Sequence, residues 1–157
     1  MPNNRVAYRA DTRPPEQIFN TGFLPRFPGG VRIQEGGQMI GGISTSKELS
    51  IAMNYAALYE GYVYAVRANG VDLLEYFVRI NASSGVIRNA TTQMEIACER
   101  ILAKDVLAAR KVLISGNKRV FSGELYINPL AAEAPELQII RMLMSSDIAV
   151  CEPSFHS

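Results

Sequence analysis

"VAYRADTRPPEQIFNTGFLPR", residues 6–26, begins as a short run of mostly apolar residues and then turns polar. The alternation over residues 5–10 predicts a β-strand, because successive side chains of a strand point to opposite faces. Val6 and Tyr8 then share one face, and Ala7 and Arg9 share the other. We therefore expect Arg9 near the end of a first core strand, on the face away from its larger apolar neighbours.

The same segment predicts a short helix after that strand. Pro14 and Pro15 suit the first turn of a helix, because proline has a helical φ and a donor is not needed there. We expect the helix to end at Phe19 or Asn20, and Gly22 to close it in a left-handed conformation. The segment therefore indicates a strand, a turn and one or two helical turns.

The composition indicates a single domain over residues 1–157. A chain of 157 residues with 48% hydrophobic residues can bury one sizeable core but hardly two. Sixteen Lys and Arg against fifteen Asp and Glu leave a net charge of +1, which supplies no long-range attraction for a nucleic-acid backbone. The sequence has neither a run of 18 apolar residues nor the apolar start of a secretory signal. We therefore expect no membrane span and no nucleic-acid partner.

The cysteines and the histidine indicate no metal site. Cys98 and Cys151 lack the spacing of metal ligands, and the only histidine is His156. Cys98 alternates with Met94 and Ile96 on the apolar side of a predicted strand, so we interpret it as a small core residue. We expect no bound metal and no disulfide between the two cysteines.

A glycine-rich segment and a helical pattern follow. Residues 28–42 contain six of the twelve glycines and predict a loop, but their spacing matches neither the dinucleotide-binding motif nor the P-loop. This argues against a Rossmann-type fold. Ser46 suits the cap of a helix whose apolar positions recur as far as Ala57, and Gly61 ends that helix.

The rest of the chain is predicted to be rich in strands. Residues 61–68, GYVYAVRA, alternate aromatic and β-branched residues and give the clearest strand pattern. Further strands are expected at residues 74–80, 93–102, 109–115 and 119–127, with an exposed loop over residues 81–92. Residues 135–144 fit either a helix or a strand.

Three segments, "YRADTRPPEQIFNTGF", "ISTS" and "ATTQMEIACERI", together resemble the catalytic domains of bacterial ADP-ribosyltransferase toxins of the cholera and pertussis type. That family carries an arginine on its first core strand, a Ser-Thr-Ser on a second, and a Gln-x-Glu or Glu-x-Glu ahead of a later one. The corresponding residues here are Arg9, then Ser44-Thr45-Ser46, then Gln93-Met94-Glu95. The resemblance covers roughly residues 6–115, and its Gln-x-Glu form and the strand GYVYAVRA bring it closest to the pertussis branch.

The resemblance implies an α+β fold in which two small, mostly antiparallel sheets lie around an NAD cleft with flanking helices. It also implies the activity of a mono-ADP-ribosyltransferase toxin or effector, which cleaves NAD, releases nicotinamide and transfers ADP-ribose to a side chain of a target protein. NAD is then a substrate, no metal takes part, and the partner is a protein acceptor.

The resemblance further implies a role for each motif residue. Glu95 would stabilise the positively charged sugar that forms as nicotinamide leaves, as carboxylates do in glycoside hydrolysis. Ser44 would orient Glu95, and Gln93 would meet the acceptor from the same strand face as Glu95. The remaining residues, headed by the arginine with its planar multi-donor group, would bind NAD: Arg9, Ala10, Asp11, Ser44, Thr45 and Ser46.

Two features of the family are missing. The family has a pocket histidine between the arginine and the Ser-Thr-Ser, where this chain has its glycine-rich segment, and it pairs an early cysteine with a late one. With the N-terminal sequence, this favours a secreted or injected bacterial effector that has no classical signal peptide and acts in the cytosol of the target cell. Two alternatives are a catalytically silent relative that binds a partner or nucleotide, and an NAD glycohydrolase that uses water as the acceptor.

Overall fold

The computed structural model describes residues 5–25, 32–33, 39–40, 42–145 and 150–151. Its strands are β1 (Arg5–Asp11), β2 (Arg32–Ile33), β3 (Met39–Ile40), β4 (Ile43–Ser46), β5 (Tyr62–Ala68), β6 (Gly70–Asp72), β7 (Glu95–Cys98), β8 (Val106–Ser115), β9 (Lys118–Ile127) and β10 (Val150–Cys151). Its helices are α1 (Pro15–Thr21), α2 (Leu49–Leu58), α3 (Leu73–Arg79), α4 (Ser84–Gln93) and α5 (Leu137–Met144), with 3₁₀ turns at Ala103–Asp105 and Pro129–Ala131.

Eight strands form one antiparallel sheet in the order β10-β9-β8-β5-β1-β4-β7-β6, and β2 pairs with β3 separately. β1 pairs with β5 along its whole length, but it meets β4 at one register pair, Tyr8 with Ser46. We call this junction the seam. The expected α+β fold with antiparallel sheets is confirmed, and the two expected sheets are the halves that meet at the seam, five strands on one side and three on the other.

Helices cover the sheet through three apolar clusters. Successive residues of β5 point to opposite faces, so Val63 joins the cluster under α2 and α5, and Tyr64 joins the one under α1. The three-stranded half has its own cluster, in which Leu73 and Phe77 of α3 pack with Ala90 of α4. Each face of the sheet is therefore closed by a helix that comes from a different part of the chain.

The opening segment forms the predicted strand, turn and helix. β1 is followed by α1, which carries a proline in its first turn but continues to Thr21, past the expected end. Gly22 has the expected positive φ, +69°, but its ψ of −166° is extended and not that of the left-handed helical conformation. A Cβ atom there would lie 2.3 Å from the carbonyl oxygen of Ile101. Only glycine meets both demands at this position, because the backbone of residues 101–103 passes directly against it.

Residues 74–80 form most of α3, and the expected strand is wrong. Asp72 caps this helix by accepting a hydrogen bond from the Glu75 N–H at 3.2 Å. Leu73 and Phe77 are four residues apart and are the residues that α3 buries. A short apolar run fits a strand or a helix equally well, and here the cap and the packing against α4 decide for the helix.

Residues 84–93 form α4, so the loop expected over residues 81–92 is also wrong. The Ser83 hydroxyl accepts a hydrogen bond from the Val86 N–H at 3.3 Å and begins the helix. Most of its small and polar side chains face solvent, while Ala90 is buried beside α3. The helix needs only a narrow apolar side to pack, which is why its composition resembled that of a loop.

Ser46 ends β4 and is not the cap residue of α2. The helix begins at Leu49 with Glu48 in the cap position, and the Ser46 hydroxyl accepts a hydrogen bond from the Glu48 N–H at 3.1 Å. Gly61 follows the helix as expected, and its N–H donates to the Ala56 carbonyl oxygen at 2.8 Å.

The strands expected at residues 61–68, 109–115 and 119–127 are confirmed, and residues 135–144 contain a helix, α5. The strand expected at residues 93–102 is confirmed only over Glu95–Cys98, because α4 continues to Gln93. The glycine-rich segment lies largely outside the described residues. Cys98 is fully buried with a free thiol, which confirms its place in the core, whereas the side chain of Cys151 lies outside the described residues.

Candidate active site

A cleft of about 1010 Å³ opens where β1 and β4 diverge from the seam. Helix α2 lines one side, and the turn from α4 into β7 lies at another. All eight residues that the sequence assigned to the site lie along this cleft: Arg9, Ala10, Asp11, Ser44, Thr45, Ser46, Gln93 and Glu95. The fold thus brings the three motif segments together in one place.

Glu95 begins β7 and lies opposite Ser46 of β4 in the register of the sheet. The side chain of Ser44, two residues before Ser46 and therefore on the same face, lies near the Glu95 carboxylate. Burial raises the pKa of Glu95 above the ordinary glutamate value, and the Ser44 hydroxyl opposes this rise. Glu95 is therefore a partly desolvated carboxylate with a serine hydroxyl beside it.

Gln93 does not share a strand face with Glu95, contrary to expectation. It is the last residue of α4, and Met94 follows in a left-handed conformation with φ 49° and ψ 43°. This tight turn still leaves both Gln93 and Glu95 lining the cleft. Two hydrogen bonds fasten the turn to the end of β4, from Ser46 Oγ to the Gln93 carbonyl oxygen at 2.8 Å and from the Lys47 N–H to the Met94 carbonyl oxygen at 2.9 Å.

Arg9 reaches from β1 across the diverging strands to β4. Its Nη1 donates to the Ser44 carbonyl oxygen at 2.9 Å, and its Nη2 lies 3.7 Å from the Asp11 carboxylate. The guanidinium carbon lies 5.1 Å from the centroid of the Phe23 ring. The side chain remains 24% exposed, so this fixed cation is open to a ligand in the cleft.

Arg13 is a second arginine in the cleft that the sequence analysis missed. Its Nε and Nη2 donate to the two Asp11 carboxylate oxygens at 2.9 and 2.7 Å, and its guanidinium also lies over the Phe23 ring, at 5.7 Å. Burial works to raise the pKa of Asp11, but the hydrogen bonds from Arg13 and the charge of Arg9 outweigh it and hold that pKa below the ordinary value. Asp11 therefore acts on the cleft by orienting Arg13. The Arg-Ala-Asp-Thr-Arg spacing was the available signal.

The side chains of Thr45 and Ala10 have fewer groups available to bind a ligand in the cleft than expected. The Thr45 hydroxyl donates to the Ile96 carbonyl oxygen at 2.8 Å, and the residue is only 3% exposed. Ala10 has only a methyl group, which packs against the cluster that contains Tyr8. Since the Thr45 hydroxyl is already bonded within the sheet, its main effect is to hold β4 against β7.

The described part of the chain contains no group of three or more His, Cys, Asp or Glu side chains that could hold a metal ion. Across the same described ranges, the helices are too short or too polar for any of them to cross a bilayer. The polar groups of the cleft include two arginines, two carboxylates, an amide, and serine, threonine and tyrosine hydroxyls.

No protein-family model matches the chain, and no curated protein sequence matches it. Solved structures do resemble it. A variant of the scabin toxin from Streptomyces scabies is 23% identical with a TM-score of 0.59, and the match covers 80% of this chain and 74% of the toxin. A guanine-specific ADP-ribosyltransferase is 19% identical with a TM-score of 0.62, over 83% of this chain and 79% of that one.

The nicked CARDS toxin is 20% identical with a TM-score of 0.53, and the match covers 86% of this chain. The chain spans about a third of that toxin, 32% of its length. The three likenesses cover 80%, 86% and 83% of this chain. The chain therefore has the ADP-ribosyltransferase fold of these bacterial toxins.

Proposed function

We propose that this chain is an NAD-dependent mono-ADP-ribosyltransferase whose catalytic domain occupies residues 1–157. The observation that carries the proposal is the arrangement of Glu95, Ser44 and Arg9 in one cleft of the appropriate fold. Ser44 connects the two groups, because its hydroxyl lies near the Glu95 carboxylate and favours its ionised form, and its carbonyl oxygen accepts a hydrogen bond from Arg9. A cation for the phosphates and an anion for the reacting ribose thus lie beside the same residue.

The reaction breaks the bond between the nicotinamide nitrogen and the ribose carbon C1′. Nicotinamide leaves with the bonding electron pair, and the ribose becomes an oxocarbenium-like cation. The ionised carboxylate of Glu95 stabilises this charge, and its partly desolvated position strengthens that interaction. An acceptor atom then forms the new bond to C1′ and releases its proton.

Arg9 and Arg13 supply the positive charge for the NAD diphosphate. Both guanidinium groups lie over the Phe23 ring on one wall of the cleft, and the Asp11 carboxylate holds Arg13 in place. Guanidinium groups suit phosphate because their planar donors form paired hydrogen bonds. The glutamine at position 93 lies next to Glu95 and is assigned to the acceptor.

The acceptor is a protein side chain or a guanine base. The near-neutral net charge argued against binding a nucleic-acid backbone, but a single base needs no long-range field. One structural neighbour bears the name guanine-specific ADP-ribosyltransferase, which brings this second acceptor into consideration. The Gln-x-Glu form leans away from arginine as the acceptor, which in the resembling family accompanies Glu-x-Glu.

The proposal also covers the branch of the family to which the chain is assigned and the place where the protein acts. The Gln93-Met94-Glu95 motif and the strand β5 support a place in the pertussis branch, and the toxin neighbours support a bacterial effector that acts in the target cell. A silent binding module is less well supported, because Arg9, Ser44 and Glu95 are all present and lie in one cleft.

Incubation of the protein with labelled NAD separates these functions. A transferase releases nicotinamide and leaves label on the protein itself, on an added protein extract or on guanosine. A glycohydrolase releases nicotinamide and leaves all the label in free ADP-ribose. A silent module releases no nicotinamide beyond the rate seen without protein, and this result would refute the proposed function.

A further inference from the structure

Tyr55 of α2 contacts the side chain assigned to the acceptor. Its hydroxyl donates a hydrogen bond to Gln93 Oε1 at 3.3 Å, although the two residues are 38 positions apart in the sequence. Both side chains line the cleft, so the bond links helix α2 to the end of α4 at the edge of the cavity. The motif that identified Gln93 and Glu95 gives no indication of Tyr55.

Both ends of this contact are fixed. Tyr55 is 48% exposed, but its neighbours Ala52 and Ala56 are buried and anchor α2 to the sheet. The backbone of Gln93 is fixed in turn, because its carbonyl oxygen accepts a hydrogen bond from Ser46 Oγ. The hydroxyl of Tyr55 is therefore placed to hold the Gln93 amide, and in this structure it does so by donating to Oε1.

The orientation of the Gln93 amide decides whether it accepts or donates a hydrogen bond in the cleft. A glutamine side chain offers an acceptor oxygen at one end and two N–H donors at the other. When the Tyr55 hydroxyl occupies the oxygen, the amide nitrogen is left to face the incoming molecule. Free rotation by about 180° would exchange the two ends and present the wrong group.

We propose that Tyr55 is a positioning residue that holds the Gln93 amide with its N–H donors toward the acceptor. This inference rests on the proposed function. An amide held in this orientation favours acceptors that carry a lone pair next to the attacking atom, such as a carbonyl oxygen or a ring nitrogen. It disfavours acceptors that present only N–H groups there.

The test compares Tyr55→Phe with the wild type in two assays run in parallel. Transfer of labelled ADP-ribose is measured on guanosine and on the protein itself, and hydrolysis is measured as free ADP-ribose. Loss of one neutral hydrogen bond predicts a fall in transfer of about three- to tenfold. Hydrolysis stays within about twofold of the wild type, because the lost hydroxyl contacts Gln93 and the change leaves Glu95 and Ser44 in place. Tyr126→Phe is the matched control, since it removes the hydroxyl of a half-exposed tyrosine on β9, away from the cleft.

A double-mutant cycle separates positioning from direct contact. If Tyr55 acts through Gln93, then Tyr55→Phe has no further effect on transfer once Gln93→Ala is present. An equal fold loss in both backgrounds overturns the inference, because Tyr55 would then act independently of the amide. An equal loss of transfer and hydrolysis in Tyr55→Phe overturns it as well.

The wild-type enzyme separates the failure of this inference from the failure of the proposed function. Absence of nicotinamide release refutes the proposed function. Nicotinamide release with only free ADP-ribose as product refutes the transferase function and the inference together, whereas wild-type transfer that Tyr55→Phe leaves unchanged overturns the inference alone. Label on either probe acceptor, with the loss confined to transfer in Tyr55→Phe, supports both.

Discussion

Arg9 combines a hydrogen bond to the Ser44 carbonyl oxygen with stacking on the Phe23 ring, and both depend on a planar guanidinium. Arg9→Lys keeps the charge but loses the fork of donors. We expect NAD affinity to fall at least about tenfold, the scale of a lost charged hydrogen bond, with little change in melting temperature. Calorimetric titration with NAD checks this, and Arg88→Lys on the exposed side of α4 is the control. Unchanged affinity in folded Arg9→Lys would remove Arg9 from the site.

Ser44 opposes the effect of burial on the Glu95 carboxyl group. Its hydroxyl lowers a pKa that burial raises, so Ser44→Ala should raise the pKa of Glu95 further. The ionised carboxylate is the active form, and the acid limb of the pH profile for nicotinamide release should therefore move to higher pH. Ser122→Ala on β9 serves as the control. An acid limb that stays in place or moves to lower pH would contradict the assigned contact.

Sequence and structure agree best where a residue acts within its own motif. Arg9, Ser44 and Glu95 lie where the three motifs placed them, at one cleft. Tyr55 was missed because its role depends on a contact with Gln93, which only the folded chain brings near. Arg13 is different, since its main partner, Asp11, lies two residues before it, and that spacing was a signal in the sequence.

Sequence patterns alone did not predict helices α3 and α4. The short apolar run of α3 fits the spacing of a helix or of a strand, and α4 has a polar composition typical of loops. Caps at Asp72 and Ser83 begin them, and mutual packing completes them. The strands β5, β8 and β9 were predictable because each contains several β-branched or aromatic residues, which favour strands.

The end of α4 also positions the Gln-x-Glu residues in the cleft. Ser46→Ala removes the hydrogen bond to the Gln93 carbonyl oxygen and the one from the Glu48 N–H, at a cost of about 1–2 kcal/mol in unfolding free energy. We expect ADP-ribose transfer by the folded variant to fall severalfold as well, because the Gln-x-Glu turn loosens.

Ser83→Ala is the matched variant at the other end of α4. It removes the helix cap at a similar cost of about 1 kcal/mol, but it leaves the turn at Gln93 fastened. Urea unfolding and transfer assays on both variants test the distinction. Equal activity losses in the two would mean that general stability matters and that Ser46 has no special role in the turn.

At the scale of the whole molecule, charges reinforce the seam between the two sheet halves. Asp72, with a side chain only 7% exposed, accepts hydrogen bonds from Arg5 of β1 at 2.9 Å and from Lys47 after β4 at 2.6 Å. Only one backbone register pair joins β1 to β4. The Asp72 carboxylate therefore links parts of the chain that the ladder hardly connects.

Burial works to raise the pKa of Asp72. The hydrogen bonds that its carboxylate accepts, of which the one from Lys47 has the largest effect, outweigh burial and lower the pKa below the ordinary value of 3.8. The carboxylate therefore stabilises the fold above that pH, and this contribution is lost as the pH falls further. Asp72→Asn, which can still cap α3, should lose about 1–2 kcal/mol at pH 7. The difference from the wild type in urea unfolding should shrink toward pH 3. A difference that is the same at both pH values would contradict this.

The central claim is that Glu95 cleaves NAD and that Gln93 serves the acceptor, and parallel assays of nicotinamide release and linked ADP-ribose test it most directly. Glu95→Gln should depress both by about a hundredfold or more, because removal of one preorganised electrostatic group slows the step they share. Gln93→Ala should cripple transfer while it spares much of the slow hydrolysis. Full nicotinamide release by Glu95→Gln would contradict the account, and equal losses of both activities in Gln93→Ala would show that Gln93 serves bond cleavage.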